Sequence, residues 1–298
     1  MIAPLRFGLV GTGYWAQETH ARSIAATEGI EFSAVWGRRQ AAVDEVARRF
    51  GVAGFTDFDA FLDEVDALSF AVPPDVQSTL ALRAIRAGKH VLLEKPIAVD
   101  AETADALVDA AELSGVSTMV FFTLLFDPRM RAIAAQAESA HYTGGQGLWL
   151  GSALSDENPF NTPWRHDKGG LWDLGPHALS VLWATLGPIV ATTATSGAGD
   201  LVHLTMRHDS GATSTATLTL NASDAADGFS TVVWGVGGRL ALPVDDVDEL
   251  QALGVALSEL AANIRSGAPS HRTDIRFGRD IVRALAEAEA SITAIGIR

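Results

Sequence analysis

The sequence predicts an α/β protein with two different sheets. Strand and helix patterns alternate from residue 5 to residue 122, which is typical of right-handed crossovers and a parallel sheet covered on both faces. After residue 123 a run of strands is flanked by helices, which favours a mostly antiparallel sheet with helices on one face only. We therefore predict two domains, residues 1–122 and residues 123–298.

The elements of the first predicted domain are five strands, each followed or preceded by a helix. The strands are Leu5–Val10, Glu31–Trp36, Ala67–Val72, His90–Leu93 and Ser117–Phe122, and the helices are Gln17–Ala26, Ala41–Phe50, Asp57–Val65, Val76–Ala87 and Asp100–Leu113. Glycines such as Gly51 and Gly88 follow directly after helices, where a left-handed residue commonly ends them.

The second predicted domain is richer in strands. Its strands are Leu148–Leu154, Val190–Ser196, Leu201–His208, Ala212–Asn221, Thr231–Trp234 and Arg239–Pro243; its helices are Asp127–Ser139, Asp173 to about Leu186, Asp245–Ser266 and Asp274–Ile295. We interpret Thr143–Gly147 as a glycine-rich break and His208–Gly211 as a hairpin turn.

Composition narrows the class of protein. The 298 residues include no cysteine, so disulfides and thiolate metal sites are excluded. The formal net charge of −14 argues against nucleic acid or an anionic membrane as a partner. We see neither an apolar run of membrane-spanning length nor a secretion signal, and expect a cytoplasmic protein. No clustered histidine and carboxylate spacing indicates a metal site.

The most informative segment is a G-x-G-x-x-A pattern at the end of the first strand. Gly11 permits a tight turn, Gly13 has no Cβ to block a pyrophosphate, and Ala16 lets the next helix lie close to the strand. This order predicts a dinucleotide site. We assign to it the turn residues and those at the carboxyl ends of neighbouring strands: Gly11, Thr12, Gly13, Tyr14, Trp15, Ala16, Gly37, Arg38, Arg39, Val72, Pro73, Glu94 and Lys95.

The end of the second strand predicts which cofactor binds. An acidic residue that would accept hydrogen bonds from the NAD ribose is missing after Trp36, and Gly37 is followed by Arg38 and Arg39. Two guanidiniums can pair with a 2′-phosphate, which favours NADP, with NAD as second choice. The alternative is that both arginines are simply solvated.

Two further segments suggest chemistry. Lys95, in Glu94-Lys95-Pro96, is predicted at a strand end, where its ammonium could stabilise developing alkoxide charge; a lysine that only reaches solvent is the alternative. Asp173 is predicted to cap a helix whose first turn holds His177, and the helix dipole would keep that imidazole neutral and basic. The alternative there is a cap and a core histidine.

Together these motifs resemble the Gfo/Idh/MocA oxidoreductase family over nearly the full length. The resemblance rests on Gly11-Thr12-Gly13-Tyr14-Trp15-Ala16, Val72-Pro73-Pro74, Glu94-Lys95-Pro96, Gly169-Gly170 with Asp173 and His177, His271-Arg272-Thr273-Asp274 and Gly278-Arg279-Asp280. It implies an N-terminal Rossmann domain, a C-terminal α/β domain with a large open-faced sheet, and a lysine, aspartate and histidine at the reacting carbon, here Lys95, Asp173 and His177.

The substrate region departs from the family pattern. Thr123 and Leu125 stand where the family pattern has Asn and Arg, so the polar groups that a typical sugar substrate would contact are missing at these positions. Polar groups before the Gly169-Gly170 turn could compensate. The predicted substrate residues are Lys95, Thr123, Asn158, Trp164, Arg165, His166, Asp173 and His177.

We therefore predict hydride transfer between a nicotinamide cofactor and a secondary alcohol or ketone of a sugar, polyol or related small molecule. The alternative is a protein that binds NAD(P) as a redox sensor without turnover. Consecutive apolar residues at Leu148–Leu150 and Val232–Trp234 also predict a homodimer or homotetramer through the C-terminal sheet; the alternative is that these side chains fill the domain's own core.

Overall fold

The computed structural model describes residues 3–268 and 270–295. By its contacts the chain divides into two compact units. The first runs to Phe121 and includes Asp248–Arg279, and the second comprises Phe122–Val247 and continues from Asp280. Residues 248–279 thus pack with the N-terminal unit, whereas the sequence suggested a single crossing near residue 122.

The first unit is built on a six-stranded parallel sheet. Its strands are β1 (Leu5–Val10), β2 (Ile30–Trp36), β3 (Ala53–Phe55), β4 (Ala67–Phe70), β5 (His90–Glu94) and β6 (Thr118–Phe121), in the order β3-β2-β1-β4-β5-β6. Every neighbouring pair is parallel. The strands read as apolar runs because both faces are covered, and Leu68, Leu92 and Val120 are fully buried. Strand β3 was not predicted, since three residues carry too little pattern.

The helices of this unit begin and end where the sequence signals lie. A π-helical segment (Ala16–Ala21) leads into α1 (Arg22–Ala26), followed by α2 (Gln40–Phe50), α3 (Phe58–Asp63), α4 (Pro74–Arg86) and α5 (Ala101–Ser114). Asp57 and Asp100 accept hydrogen bonds from the first-turn amides of α3 and α5, as N-caps do. Gly51 ends α2 with φ of 71°, which favours glycine.

The second unit contains a mixed six-stranded sheet. Its strands are β7 (Tyr142–Leu150), β8 (Ile189–Ser196), β9 (Val202–His208), β10 (Thr213–Thr219), β11 (Gly228–Gly235) and β12 (Gly238–Leu242), in the order β12-β11-β7-β10-β9-β8. Only β7 and β10 pair in parallel; the other four neighbouring pairs are antiparallel. The predicted fold class, a parallel sheet followed by a mostly antiparallel one, is confirmed.

The helices of the second unit are α6 (Pro128–Ala140), α7 (Pro163–Asp173) and α8 (Gly175–Leu186), with a short 3₁₀ segment at Thr123–Phe126. Two long helices follow β12: α9 (Glu249–Ser266) and α10 (Ile275–Ile295). The division between the units falls within α10. Helix α7 was not predicted, because Gly169 and Gly170 interrupt its pattern; Gly169 has φ of 62° inside it. No helix in the described residues is long and apolar enough to span a bilayer.

The predicted glycine-rich break at Thr143–Gly147 is wrong, because these residues form the first half of β7. Side chains from other elements occupy the space above two of these glycines. A Cβ on Gly144 would lie 2.6 Å from the Trp234 ring, and one on Gly145 would lie 2.9 Å from Leu182. Glycine is therefore present to admit large neighbours, which a local pattern does not reveal. The same strand ends at Leu150 rather than at the predicted Leu154.

Candidate functional site

The glycine turn after β1 has the geometry that a dinucleotide requires. The Gly11 amide donates to the Trp36 carbonyl at 2.9 Å, and its φ of 131° together with the backbone of Ala71 beside it leaves no room for a Cβ. At Gly13, by contrast, a Cβ would meet nothing within 4 Å. The turn is thus tightly packed on the protein side and open at Gly13, as the approach of a pyrophosphate requires.

Two further residues shape this turn. Gly37 must lack a side chain because a Cβ there would lie 2.7 Å from Thr12. Ala16 is buried where the helical segment meets the sheet, whereas Tyr14 is 56% exposed. The residues present therefore fit an NAD(P) molecule, and the segment from Gly11 to Ala16 would hold its phosphates.

Arg38 and Arg39 lie at the carboxyl end of β2, as predicted. Both are exposed, and no hydrogen bond or ion pair within the described residues engages either guanidinium. Trp36 points inward and donates its indole N–H to the Thr56 carbonyl at 3.1 Å. The three described residues that follow β2, Gly37, Arg38 and Arg39, include no acidic side chain.

The Lys95 turn is held by side chains of the same unit. Gln77, fully buried on α4, accepts from the Glu94 amide at 2.8 Å and donates to the carbonyls of Glu94 and Pro96 at 2.8 and 3.2 Å. The Glu94 carboxylate accepts from the Lys95 amide at 3.2 Å. Gln77 was missed by the sequence reasoning, since a glutamine in a helix carries no local signal of such a role. Val72 and Pro73 lie half-buried between β4 and α4.

In the second unit, Asp173 is not the N-cap that the sequence predicted. It is the last residue of α7, and α8 begins after Leu174 without a side-chain cap. Its carboxylate instead accepts from Arg165, with Nε 2.7 Å from Oδ2, and both side chains are largely buried. The ion pair with Arg165 thus holds the Asp173 carboxylate in place.

His177 lies in the first turn of α8, as predicted, and is half-buried. Its ring is nearly parallel to Trp149, with centroids 6.0 Å apart and an interplanar angle of 5°. Trp149 is 3% exposed, packs against Phe229 at 5.1 Å, and donates its indole N–H to Thr231 at 3.1 Å. Trp149 thus fixes one side of the imidazole. The sequence reasoning placed this tryptophan in the sheet but did not connect it with His177.

The other predicted substrate residues lie before and within α7. Arg165 also donates to the Phe160 carbonyl at 3.0 Å and stacks over Trp164 at 4.8 Å. Asn158 accepts from the Phe160 amide at 2.9 Å, and His166 is bonded to Asn161 at 2.7 Å. Thr123 begins the 3₁₀ segment. Within residues 3–268 and 270–295, no group of three or more histidine or carboxylate side chains is arranged to hold a metal ion.

A parallel sheet with a phosphate-compatible glycine turn defines the first unit as a dinucleotide-binding domain. Residues 5–122 match the family model described as "Oxidoreductase family, NAD-binding Rossmann fold", GFO_IDH_MocA. The first unit therefore matches the Gfo/Idh/MocA family model, and this match covers the Rossmann domain only.

Known proteins of this kind match over longer stretches. The chain is 32% identical over 188 residues to dTDP-3,4-didehydro-2,6-dideoxy-alpha-D-glucose 3-reductase of Actinomadura kijaniata, covering 62% of this chain and 57% of that protein. It is 26% identical to glucose-6-phosphate 3-dehydrogenase of Bacillus subtilis (strain 168), covering 60% and 53%. The chain matches less than two thirds of the length of each of three curated relatives, the reductase included: the matched segments span 54%, 64% and 57% of these proteins.

A solved structure supports the fold of the whole chain. GenD2 from gentamicin A biosynthesis, in complex with NAD, superposes with a TM-score of 0.84 at 20% identity, covering 99% of this chain and 96% of that one. At this identity the similarity establishes the fold of both units.

Proposed function

We propose that the protein is an NAD(P)-dependent oxidoreductase that interconverts a secondary alcohol of a sugar, polyol or related small molecule and its ketone. The observation that carries the proposal is the open position at Gly13 in a turn that is otherwise closely packed. The names of the relatives, a sugar 3-reductase and a sugar 3-dehydrogenase, support the same substrate class.

Three side chains have separate roles in this reaction: His177, Lys95 and Asp173. A bound nicotinamide would accept or supply the hydride. His177, in the first turn of α8, is the base that takes the hydroxyl proton. The Lys95 ammonium donates a hydrogen bond to the same oxygen and stabilises its developing negative charge. Asp173, held in place by Arg165, is the carboxylate that balances the positive charge that the histidine acquires.

We also propose that the cofactor is NADP rather than NAD. The exposed Arg38 and Arg39 are available to a 2′-phosphate, and no carboxylate stands at the end of β2 to bind a ribose diol. Structural neighbours are described in complex with NAD or NADH, so the two cofactors must be compared directly.

The first experiment follows nicotinamide absorbance during incubation with NAD or NADP and a panel of sugars, polyols and their keto forms. We expect turnover with at least one substrate of this class. Replacing His177 or Lys95 by Ala should lower turnover on the order of a hundredfold or more while cofactor affinity survives.

The double variant tests whether the two residues act together. Its loss should be smaller than the sum of the single losses, since residues that act as one unit are not additive. Cofactor binding without turnover on any substrate, or normal turnover in His177→Ala, would instead favour a redox sensor.

A further inference from the structure

A buried chain of polar side chains connects three neighbouring segments of the first unit. His20 is fully buried in the π-helical segment after the glycine turn. Its Nδ1 lies 2.8 Å from the Ser69 hydroxyl on β4, and its Nε2 lies 3.0 Å from Glu94 Oε1 at the end of β5. Trp15 donates its indole N–H to the same Glu94 oxygen at 2.7 Å.

The chemistry of the donor and acceptor atoms fixes the direction of the two hydrogen bonds to Glu94. A carboxylate oxygen can only accept, so the proton of the His20–Glu94 bond is on Nε2. The indole of Trp15 can only donate. Glu94 Oε1 is therefore held from two sides, and its side chain is only 13% exposed. An interior network in which each group has a partner is rigid.

The other oxygen of the same carboxylate reaches Lys95. Glu94 Oε2 accepts from the Lys95 backbone amide at 3.2 Å. The carboxylate, oriented by His20 and Trp15, thus contributes with Gln77 to holding the backbone from which the Lys95 side chain extends. The nearby π-helical geometry is itself frequent at functional sites. Neither residue was predicted in this role, because His20 and Glu94 are 74 positions apart.

We propose that His20 is a positioning residue for Lys95 that acts through Glu94. The inference rests on the proposed role of Lys95 in hydride transfer, but its geometric part, control of the Lys95 side chain, can be measured without turnover. Trp15 and Glu94, which the sequence suggested as cofactor ligands, serve in this proposal to support the lysine.

The test uses the reactivity of Lys95. The chain has three lysines, Lys89, Lys95 and Lys168, so peptide mass spectrometry can follow each one during reductive methylation, with Lys89 and Lys168 as internal references. His20→Ala should change the Lys95 rate severalfold relative to the references. It should also lower kcat by about tenfold to a hundredfold and leave the dissociation constant of the cofactor unchanged. His20→Gln, whose amide can donate to Glu94, should restore both readouts in large part.

Two further variants distinguish a positioning role of His20 from a general destabilisation of the first unit. In a Glu94→Gln background, where an amide NH₂ replaces one oxygen, His20→Ala should have no further effect on Lys95 labelling. Ser69→Ala leaves the Nε2 bond in place and should leave labelling unchanged. Equal effects of His20→Ala in both backgrounds, no effect in the parent, or an equal effect of Ser69→Ala would overturn the proposal. If no substrate turns over but Lys95 labelling responds as described, the proposed function fails and the positioning role stands.

Discussion

Arg38 offers the sharpest single-residue test of cofactor choice. It is exposed at the end of β2 and no described residue pairs with it. Arg38→Ala should weaken NADP binding by about 1–3 kcal/mol and leave NAD binding nearly unchanged, because only a charge-assisted contact with the 2′-phosphate is lost. Fluorescence titration of the reduced cofactors would measure both affinities.

Arg48 is the matched control for this substitution. It is exposed in the last turn of α2, so Arg48→Ala removes the same charge at the other end of that helix. The NADP preference is contradicted if Arg38→Ala weakens both cofactors equally, or if the parent protein binds NAD more tightly than NADP.

The buried His208 side chain is expected to make the free energy of unfolding depend on pH. It is 3% exposed, with Nδ1 2.7 Å from the Gly187 carbonyl and Nε2 2.8 Å from Ser214. Burial lowers its pKa, and the carbonyl and Asp209 only partly oppose this effect. A histidine whose folded pKa lies below its unfolded value of about 6.5 binds more protons when unfolded. The contribution of His208 to the free energy of unfolding is therefore present above the unfolded pKa. It is lost as the pH falls from that value toward the folded pKa.

Urea unfolding at pH values above and below this window would measure the loss. His208→Asn keeps a donor for the Gly187 carbonyl but does not titrate, so its stability should fall less on acidification than that of the parent. His90, whose pKa burial also lowers, contributes in the same direction and remains in both proteins. Identical acid sensitivity of the two proteins would rule out His208 as a source.

At the scale of elements, the two glycines of the first turn make opposite predictions. A Cβ at Gly11 would meet the Ala71 backbone at a φ that side chains rarely adopt, so Gly11→Ala should destabilise the fold by several kcal/mol. A Cβ at Gly13 meets nothing within 4 Å, so Gly13→Ala should melt like the parent but bind NAD and NADP more weakly. Thermal melts with and without cofactor separate the outcomes; unchanged cofactor affinity in Gly13→Ala would place the phosphates elsewhere.

The same elements show which features a sequence can reveal. The glycine turn, the strand ends that carry Arg38 and Lys95, and the position of His177 in a first turn follow from local patterns, and the structure contains them. The ion pair of Asp173 with Arg165 and the clamp of Gln77 on the Lys95 turn depend on side chains that meet only after folding. Strand β7 was misread for this reason: its glycines are required by Trp234 and Leu182, not by a turn.

At the scale of the whole molecule, the second sheet has one face turned away from its helices. All six strands contribute residues to this face. The strand pairings show that these residues are Ala191, Thr193, Thr195, His203, Thr205, Arg207, Thr213, Thr215, Thr217, Thr219, Gly144, Gln146, Leu148, Leu150, Ser230, Val232, Trp234, Arg239 and Ala241. Although the chain carries 36 acidic residues, none of these is acidic. Two copies could therefore meet here without carboxylate repulsion.

We propose that this face joins two copies in an isologous dimer, which a second interface could double into a tetramer. Of the apolar residues that motivated this prediction, Trp149 is buried within its own unit, whereas Leu148 and Trp234 are 41% and 42% exposed. Leu148→Glu would place a charge on β7, one of the two central strands of the face, and should convert the dimer to a monomer, because an unpaired carboxylate would be buried at the contact. Sedimentation would measure the mass.

Val236→Glu is the control, since Val236 is 92% exposed in the turn between β11 and β12 and should leave the assembly intact. A parent protein that stays at the monomer mass of 31.4 kDa at all concentrations would refute the dimer.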